Sequence, residues 1–218
     1  MADLIEYLKR FNRKERFYLI GWSLGNEGFR LSDDFRASVA AEVGLSVPRA
    51  ALTFMDYHLN WIYASAFLAS VPDHGEIHDN SDGTVEGNQE DVDLLIAFQH
   101  DGLYQLVMLE AKFSTGWTNK QMKHKAARLG GIFGQNGRRW PGIRPYFLLT
   151  SPREPGKLDC KAWPTWMTGP NGRPRWIEMR APGMLERVTR CDAEGKESAG
   201  GRHWRVLPVR LSKTRLEV

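Results

Sequence analysis

Four charged side chains, Asp91, Asp93, Glu110 and Lys112, stand at the ends of two otherwise apolar runs. The segment reads DVDLLIAFQHDGLYQLVMLEAK, with Asp101-Gly102 between the runs. Asp-Gly is favoured in two-residue hairpin turns, where both central positions need a positive φ. With that turn His100 faces Leu103, and the same register sets Asp93 opposite Glu110 and Asp91 opposite Lys112. Alternation along a strand then gathers all four on one face at the open end of the hairpin. A slip of one residue would scatter them. Charges that end a buried strand are costly unless they pair with each other or bind something. Acids beside a lysine suit a bound group, or a structural ion pair at a sheet edge.

The elements that must position these residues follow from the pattern around them. Away from its charged end the hairpin is apolar on both faces, with Leu95, Ala97, Leu106 and Met108 on one and Val92, Ile96, Val107 and Leu109 on the other. Such strands are central and covered by helices on each side. A helix is expected over Thr118–Leu129, with Met122, Ala126 and Leu129 on one stripe and Gln121, Lys125 and Arg128 on another. The run Tyr146–Ser151 reads as a short buried strand, which a crossover would set parallel to the Glu110 strand. Upstream, helices are expected over Asp3–Phe11, Arg13–Leu24, Asp33–Val43 and Pro48–Ser70, with Ser32 capping the third and Pro48 in the first turn of the fourth. Asp56 and His58 fall on that apolar fourth helix, where Asp56 is either an extra acid for the site or a hydrogen-bonded helix residue. His74 and His78 have metal-like spacing but flank Gly75 in a turn-rich stretch, and are read as loop residues. Glu186–Cys191 and His203–Val209 are expected to form a hairpin appended to the main sheet.

Composition bounds the partners. Residues 1–111 carry 8 Lys and Arg against 18 Asp and Glu, a balance of −10, whereas residues 112–218 carry 22 against 8, a balance of +14. The sign changes at Lys112. A strongly basic half points to a polyanion, although the two halves could instead neutralise each other in the fold. In the C-terminal third Trp163, Trp166, Trp176 and Trp204 are interleaved with arginines. That mixture suits phosphate contacts with base stacking, or an aromatic core with a basic exterior. Cys160 and Cys191 suggest no disulfide framework and cannot make a zinc site alone. The acidic N-terminus is unlike a signal peptide, and the most apolar window, Trp61 to Val71, is too short to cross a bilayer, so a cytoplasmic protein without a membrane is expected.

Asp93 leading one apolar strand, and a second strand ending Glu110-Ala111-Lys112, resembles the PD-(D/E)XK nuclease superfamily. The order of elements fits from about Pro48 to Ser151, roughly half of the chain. The motif is short and degenerate, and Val92 stands where the motif's proline would be. The resemblance implies an α/β fold with a restriction-endonuclease-like αβββαβ core and a mixed central sheet. A helical N-terminal arm over residues 1–70 and a β-rich basic C-terminal extension within residues 71–218 would surround it. It implies a nuclease whose Asp93 and Glu110, with the Ala111 carbonyl, hold Mg²⁺ or Mn²⁺, while Lys112 positions or activates the attacking water. Gln121 would face the site, Asp56 and Asp91 would be accessory acids, and Lys120, Lys123, Lys125 and Arg128 would meet nucleic acid, DNA more than RNA. Other readings are a non-catalytic nucleic-acid binder on the same scaffold, or a subunit of a restriction or defence assembly. The N-terminal arm is then a surface for a second copy or a partner protein.

Overall fold

The computed structural model describes residues 3–11, 14–71, 75–88, 90–113, 115–180 and 185–209. His74 and Arg13, the expected start of the second helix, lie outside these. The hairpin forms as the Asp-Gly turn demands. Strands β2 (Asp91–His100) and β3 (Leu103–Ala111) pair antiparallel, with His100 against Leu103 and Leu94 against Leu109. Asp101 (φ 49°) and Gly102 (φ 73°) both occupy the left-handed region that this turn requires. After β3 the chain crosses through helix α5 (Asn119–Phe133) to β4 (Ile143–Ser151), which lies parallel to β3. Thr118 caps α5, its hydroxyl accepting from the Gln121 N–H.

One expectation is corrected upstream. Residues 48–70 do not form a single helix; Leu52–His58 is a strand, β1, paired antiparallel with β2, and only Leu59–Ser70 is helical (α4). An apolar run of this length fits either period, but Thr53, Phe54 and Tyr57 suit a strand. Pairing with β1 also covers the edge that β2 would otherwise expose. The sheet order is β1-β2-β3-β4-β5, the last strand being Arg175–Glu178, parallel to β4 and not anticipated from the sequence. The protein is therefore α/β with a five-stranded mixed sheet.

Both faces of that sheet are covered. Leu95, Ala97, Leu106 and Met108 pack with α4, α5 and helix α1 (Leu4–Arg10). Ile96, Phe98, Val107 and Leu109 pack against helix α3 (Asp33–Val43). α3 occupies the expected range: Ser32 Oγ accepts from the Phe35 N–H at 3.3 Å, and Gly44 ends it with φ 73°. α1 is tied to the core, since the Tyr57 hydroxyl donates to the Leu8 carbonyl and the Tyr104 hydroxyl to Asp3. Helix α2 (Glu15–Ser23) buries Phe17 and leaves Leu19 and Trp22 exposed. His78 packs its ring on Phe67. Trp163 and Trp166 are buried in the main core, whereas Trp204 is exposed. The C-terminal hairpin forms, as β6 (Glu186–Cys191) and β7 (His203–Pro208), but it is a separate two-stranded sheet, not an addition to the main one. Among the described residues no helix is long and apolar enough to cross a membrane.

Gly102→Val forces a β-branched residue into the left-handed turn. It should lower stability by about 1–2 kcal/mol, seen as a lower midpoint in denaturant unfolding with the slope unchanged.

Candidate functional site

β3 is the middle strand of the sheet, so its C-terminal end is enclosed by neighbours on both sides. Glu110 sits there with only 5% of its surface exposed. The paired register runs from His100 and Leu103 to Leu94 and Leu109, so Asp93 and Glu110 are the next residues along the two strands. Asp93 is fixed to the same strand end, its Oδ2 accepting from the Ala111 N–H at 2.6 Å. On the other side of β2, Met55 pairs with Leu94 and Tyr57 with Val92, so Asp56 falls beside Asp93. Asp56 is thus a strand residue and not a helix residue, and its φ of 49° marks a kink where the regular pairing lapses. Asp91 pairs with His58, one further step along. The acids form a row across three strand ends.

Cations of the chain meet most of that row. Lys125 reaches from α5 and donates to Glu110 Oε1 and to the Asp91 carbonyl, with Glu90 at 3.6 Å. Lys14 pairs with Asp91, and Arg16 Nε donates to Asp56 at 2.6 Å. Burial pushes the Glu110 carboxyl up to about 7, with Lys125 opposing the shift and Asp93 and Asp91 adding to it. Burial and the charge of Lys14 lower His58, which stacks edge-on to Trp61. Lys112 differs from the other cations. Its backbone N–H donates to the Thr150 carbonyl, its Nζ lies 6.0 Å from the Trp117 ring centre, and it makes no ion pair with any described residue.

The α5 residues separate into two sets. Gln121 lies one turn before Lys125 on the same stripe and is exposed. Lys120 and Lys123 are exposed as well. Lys125 and Arg128, expected to meet nucleic acid, are instead buried: Arg128 bonds Glu86 at 2.6 Å and Asn60 at 2.9 Å. Their charges are consumed inside the fold because α5 packs that stripe over the acidic strand ends. Lys14, Arg16 and Glu90 are site residues that sequence reasoning missed. They are far from their partners along the chain, Lys14 by 77 residues and Arg16 by 40, and no local pattern marks such pairs.

Among the described residues no group of three or more His, Cys, Asp or Glu is arranged to hold a metal ion. Two facing carboxylates and a backbone carbonyl nevertheless make a hard oxygen donor set. The buried Glu110, raised by its acidic neighbours and already matched by one ammonium, is a position where a cation relieves charge. In chemistry the residues fit. Comparison with protein-family models finds no match, and neither the curated proteins nor the solved structures compared match the chain.

Because its folded value is raised, Glu110 holds a proton more tightly in the folded chain than in the unfolded one, whose ordinary value is 4.5. Its contribution to stability is complete below that value and is lost as pH rises through about 7. NMR titration of the Glu110 carboxyl should move upward in Lys125→Met and downward in Asp93→Asn. Lys125→Met should also lose about 3–5 kcal/mol at alkaline pH, where the buried carboxylate is left unpaired, and less in acid. An unchanged titration in both variants would show that the row does not interact.

Proposed function

We propose that the chain is a metal-dependent phosphodiester hydrolase of the PD-(D/E)XK type that acts on nucleic acid, DNA more than RNA. The observation that carries this reading is the Asp93 carboxylate held on the Ala111 N–H beside a buried Glu110, at a strand end followed by a lysine with no ion pair among the described residues. A resident structural ion pair between Glu110 and Lys112 would occupy Lys112. Here Glu110 is matched by Lys125 from α5.

Asp93, Glu110 and the Ala111 carbonyl would hold Mg²⁺ or Mn²⁺. When bound, the ion supplies charge neutralisation at the phosphate and a water of lowered pKa. Lys112 would orient the attacking water or donate to a phosphate oxygen, for which an unpaired ammonium at the strand end is suited. Lys125 opposes the effect of burial on Glu110. Arg16 and Lys14 pair with Asp56 and Asp91, leaving Asp93 as the acid of the row with no cation among the described residues. Lys120, Lys123 and Gln121 are exposed on α5, where they can meet the backbone of a polyanion. Under this reading the finer fold is the restriction-endonuclease-like one, with α3, β1, β2, β3, α5 and β4 as its αβββαβ core and α4 inserted after the first strand.

A second reading has its own support. Lys14, Arg16 and Lys125 each close on an acid of the row, which is what a non-catalytic nucleic-acid-binding scaffold would do with these charges. The two separate on activity. Asp93→Ala, Glu110→Ala and Lys112→Ala should each lower Mg²⁺-dependent cleavage of DNA by at least about a hundredfold without unfolding the protein, and EDTA should stop it. Full activity in the Lys112 variant removes the hydrolase reading.

Binding gives a further check. Lys120→Glu and Lys123→Glu should weaken DNA binding at every sequence and reduce the slope of log affinity against log salt by about one each. Arg128→Glu should lower thermal stability instead, because its partners are internal.

A further inference from the structure

Lys112 meets an aromatic ring where the other cations of the row meet an acid. Its backbone stays on the ladder of the sheet, the N–H donating to the Thr150 carbonyl of β4. Its half-buried side chain sets the ammonium over the ring of Trp117, in the crossover to α5, at 6.0 Å from the ring centre. The face of an indole attracts a cation through its quadrupole. It does so without acting as a carboxylate acceptor, so the three N–H donors of the ammonium stay open to a further group.

That ring is fixed by one buried hydroxyl. Ser151, the last residue of β4, accepts from the Trp117 indole N–H at 3.3 Å and from the Trp176 indole N–H of β5 at 3.1 Å. Its own hydroxyl donates to the Arg153 carbonyl at 2.6 Å. A serine hydroxyl has one donor and two acceptor sites, so Ser151 makes every bond open to it. Trp117 is tied along the chain as well. Thr118 caps α5, and the Asn119 side chain accepts from the Asp159 N–H at 2.8 Å and donates to the Lys157 carbonyl at 3.4 Å. The indole is thus held at its N–H by the sheet and at its backbone by the start of α5. Such a hub would tie β4, β5 and the crossover together whether or not it served Lys112, and the two roles separate by experiment.

We propose that Trp117 is a positioning residue for Lys112, with Ser151 setting the ring. The inference rests on the hydrolase reading and adds what keeps the ammonium at the strand end without an acid. A carboxylate in place of the ring would take the donors that a phosphate oxygen or the attacking water requires, as Glu110 does with Lys125. Open solvent would leave a flexible four-carbon stem without a fixed direction. The ring holds the charge and leaves its hydrogen bonds unspent.

The test joins a double-mutant cycle to kinetics. In denaturant unfolding of the metal-free protein, Trp117→Leu and Lys112→Gln should couple by about threefold in the folding equilibrium constant, the size of a partly exposed cation–π contact. The same cycle built with Trp117→Phe, which keeps a ring, should couple less. On plasmid and single-stranded DNA with Mg²⁺ or Mn²⁺, Trp117→Leu should lower kcat about tenfold with KM unchanged, and Trp117→Phe should restore most of it. Added to Lys112→Gln, Trp117→Leu should lower kcat no further. Absence of coupling, a wild-type kcat in Trp117→Leu, or an equal loss in the Lys112→Gln background overturns the positioning role. Coupling with no cleavage of either DNA by the wild type overturns the hydrolase and keeps the placement of Lys112 by Trp117.

Discussion

A carboxylate buried at the end of a central strand constrains everything around it. Glu110 is enclosed because β3 has β2 on one side and the parallel β4 on the other, with helices on both faces. Water cannot solvate its charge there, and its proton is held up to about pH 7. Desolvation of an ion in such a place exceeds what a loose partner returns, so the partner must be close and fixed. Lys125 meets that condition from a helix whose start is set by the Thr118 cap and whose apolar stripe of Met122, Ala126 and Leu129 is locked in the core. The crossover that makes β4 parallel to β3 is thus also the device that brings an ammonium to the strand end.

The same constraint gives the N-terminal segment a role beyond packing. Lys14 and Arg16 lie at the start of α2, between a helix anchored through Tyr57 and Tyr104 and a loop anchored through Thr53. Their charges are delivered to Asp91 and Asp56 by elements that the core holds in place. Part of the negative charge in the first half of the chain is collected at the ends of β1, β2 and β3, and the cations that answer it come from both sequence directions.

What the sequence made legible was local. The Asp101-Gly102 turn determined the register of the hairpin from His100 and Leu103 to Leu94 and Leu109, because Asp-Gly accepts the positive φ that both of its residues take here. Ser32 and Gly44 bounded α3 by their own hydrogen bonds and conformation. β1 was not legible, since Leu52–His58 is apolar enough to continue the helix that follows it, and only its pairing with β2 decides. Lys125 and Arg128 were misread for a related reason: basic residues on a helix are usually solvated, and nothing nearby in sequence says that Glu110 and Glu86 wait beneath them. Positive φ at Asp56 and Phe29 left no trace either, because neither residue is glycine and the bonds that enforce Phe29 come from β1.

The difference between Lys125 and Lys112 is where structure and chemistry part. Both lysines lie near Glu110, one by reach across α5 and one by two places along the chain. Lys125 is 5% exposed and fully committed, to Glu110 and to the Asp91 carbonyl. Lys112 is half-buried, near the Trp117 ring, and has no acid among the described residues. Lys14, Arg16 and Lys125 answer Asp91, Asp56 and Glu110, and Lys112 answers none of the acids within ion-pair distance among the described residues. Asp93, meanwhile, is held by a backbone N–H and by no described cation within ion-pair distance. An acid without its own cation and a cation without its own acid, on neighbouring strand ends, form a separated pair. On the proposed reading, the Asp93 oxygen that does not accept from the Ala111 N–H would go to the divalent ion and the Lys112 ammonium to the phosphate.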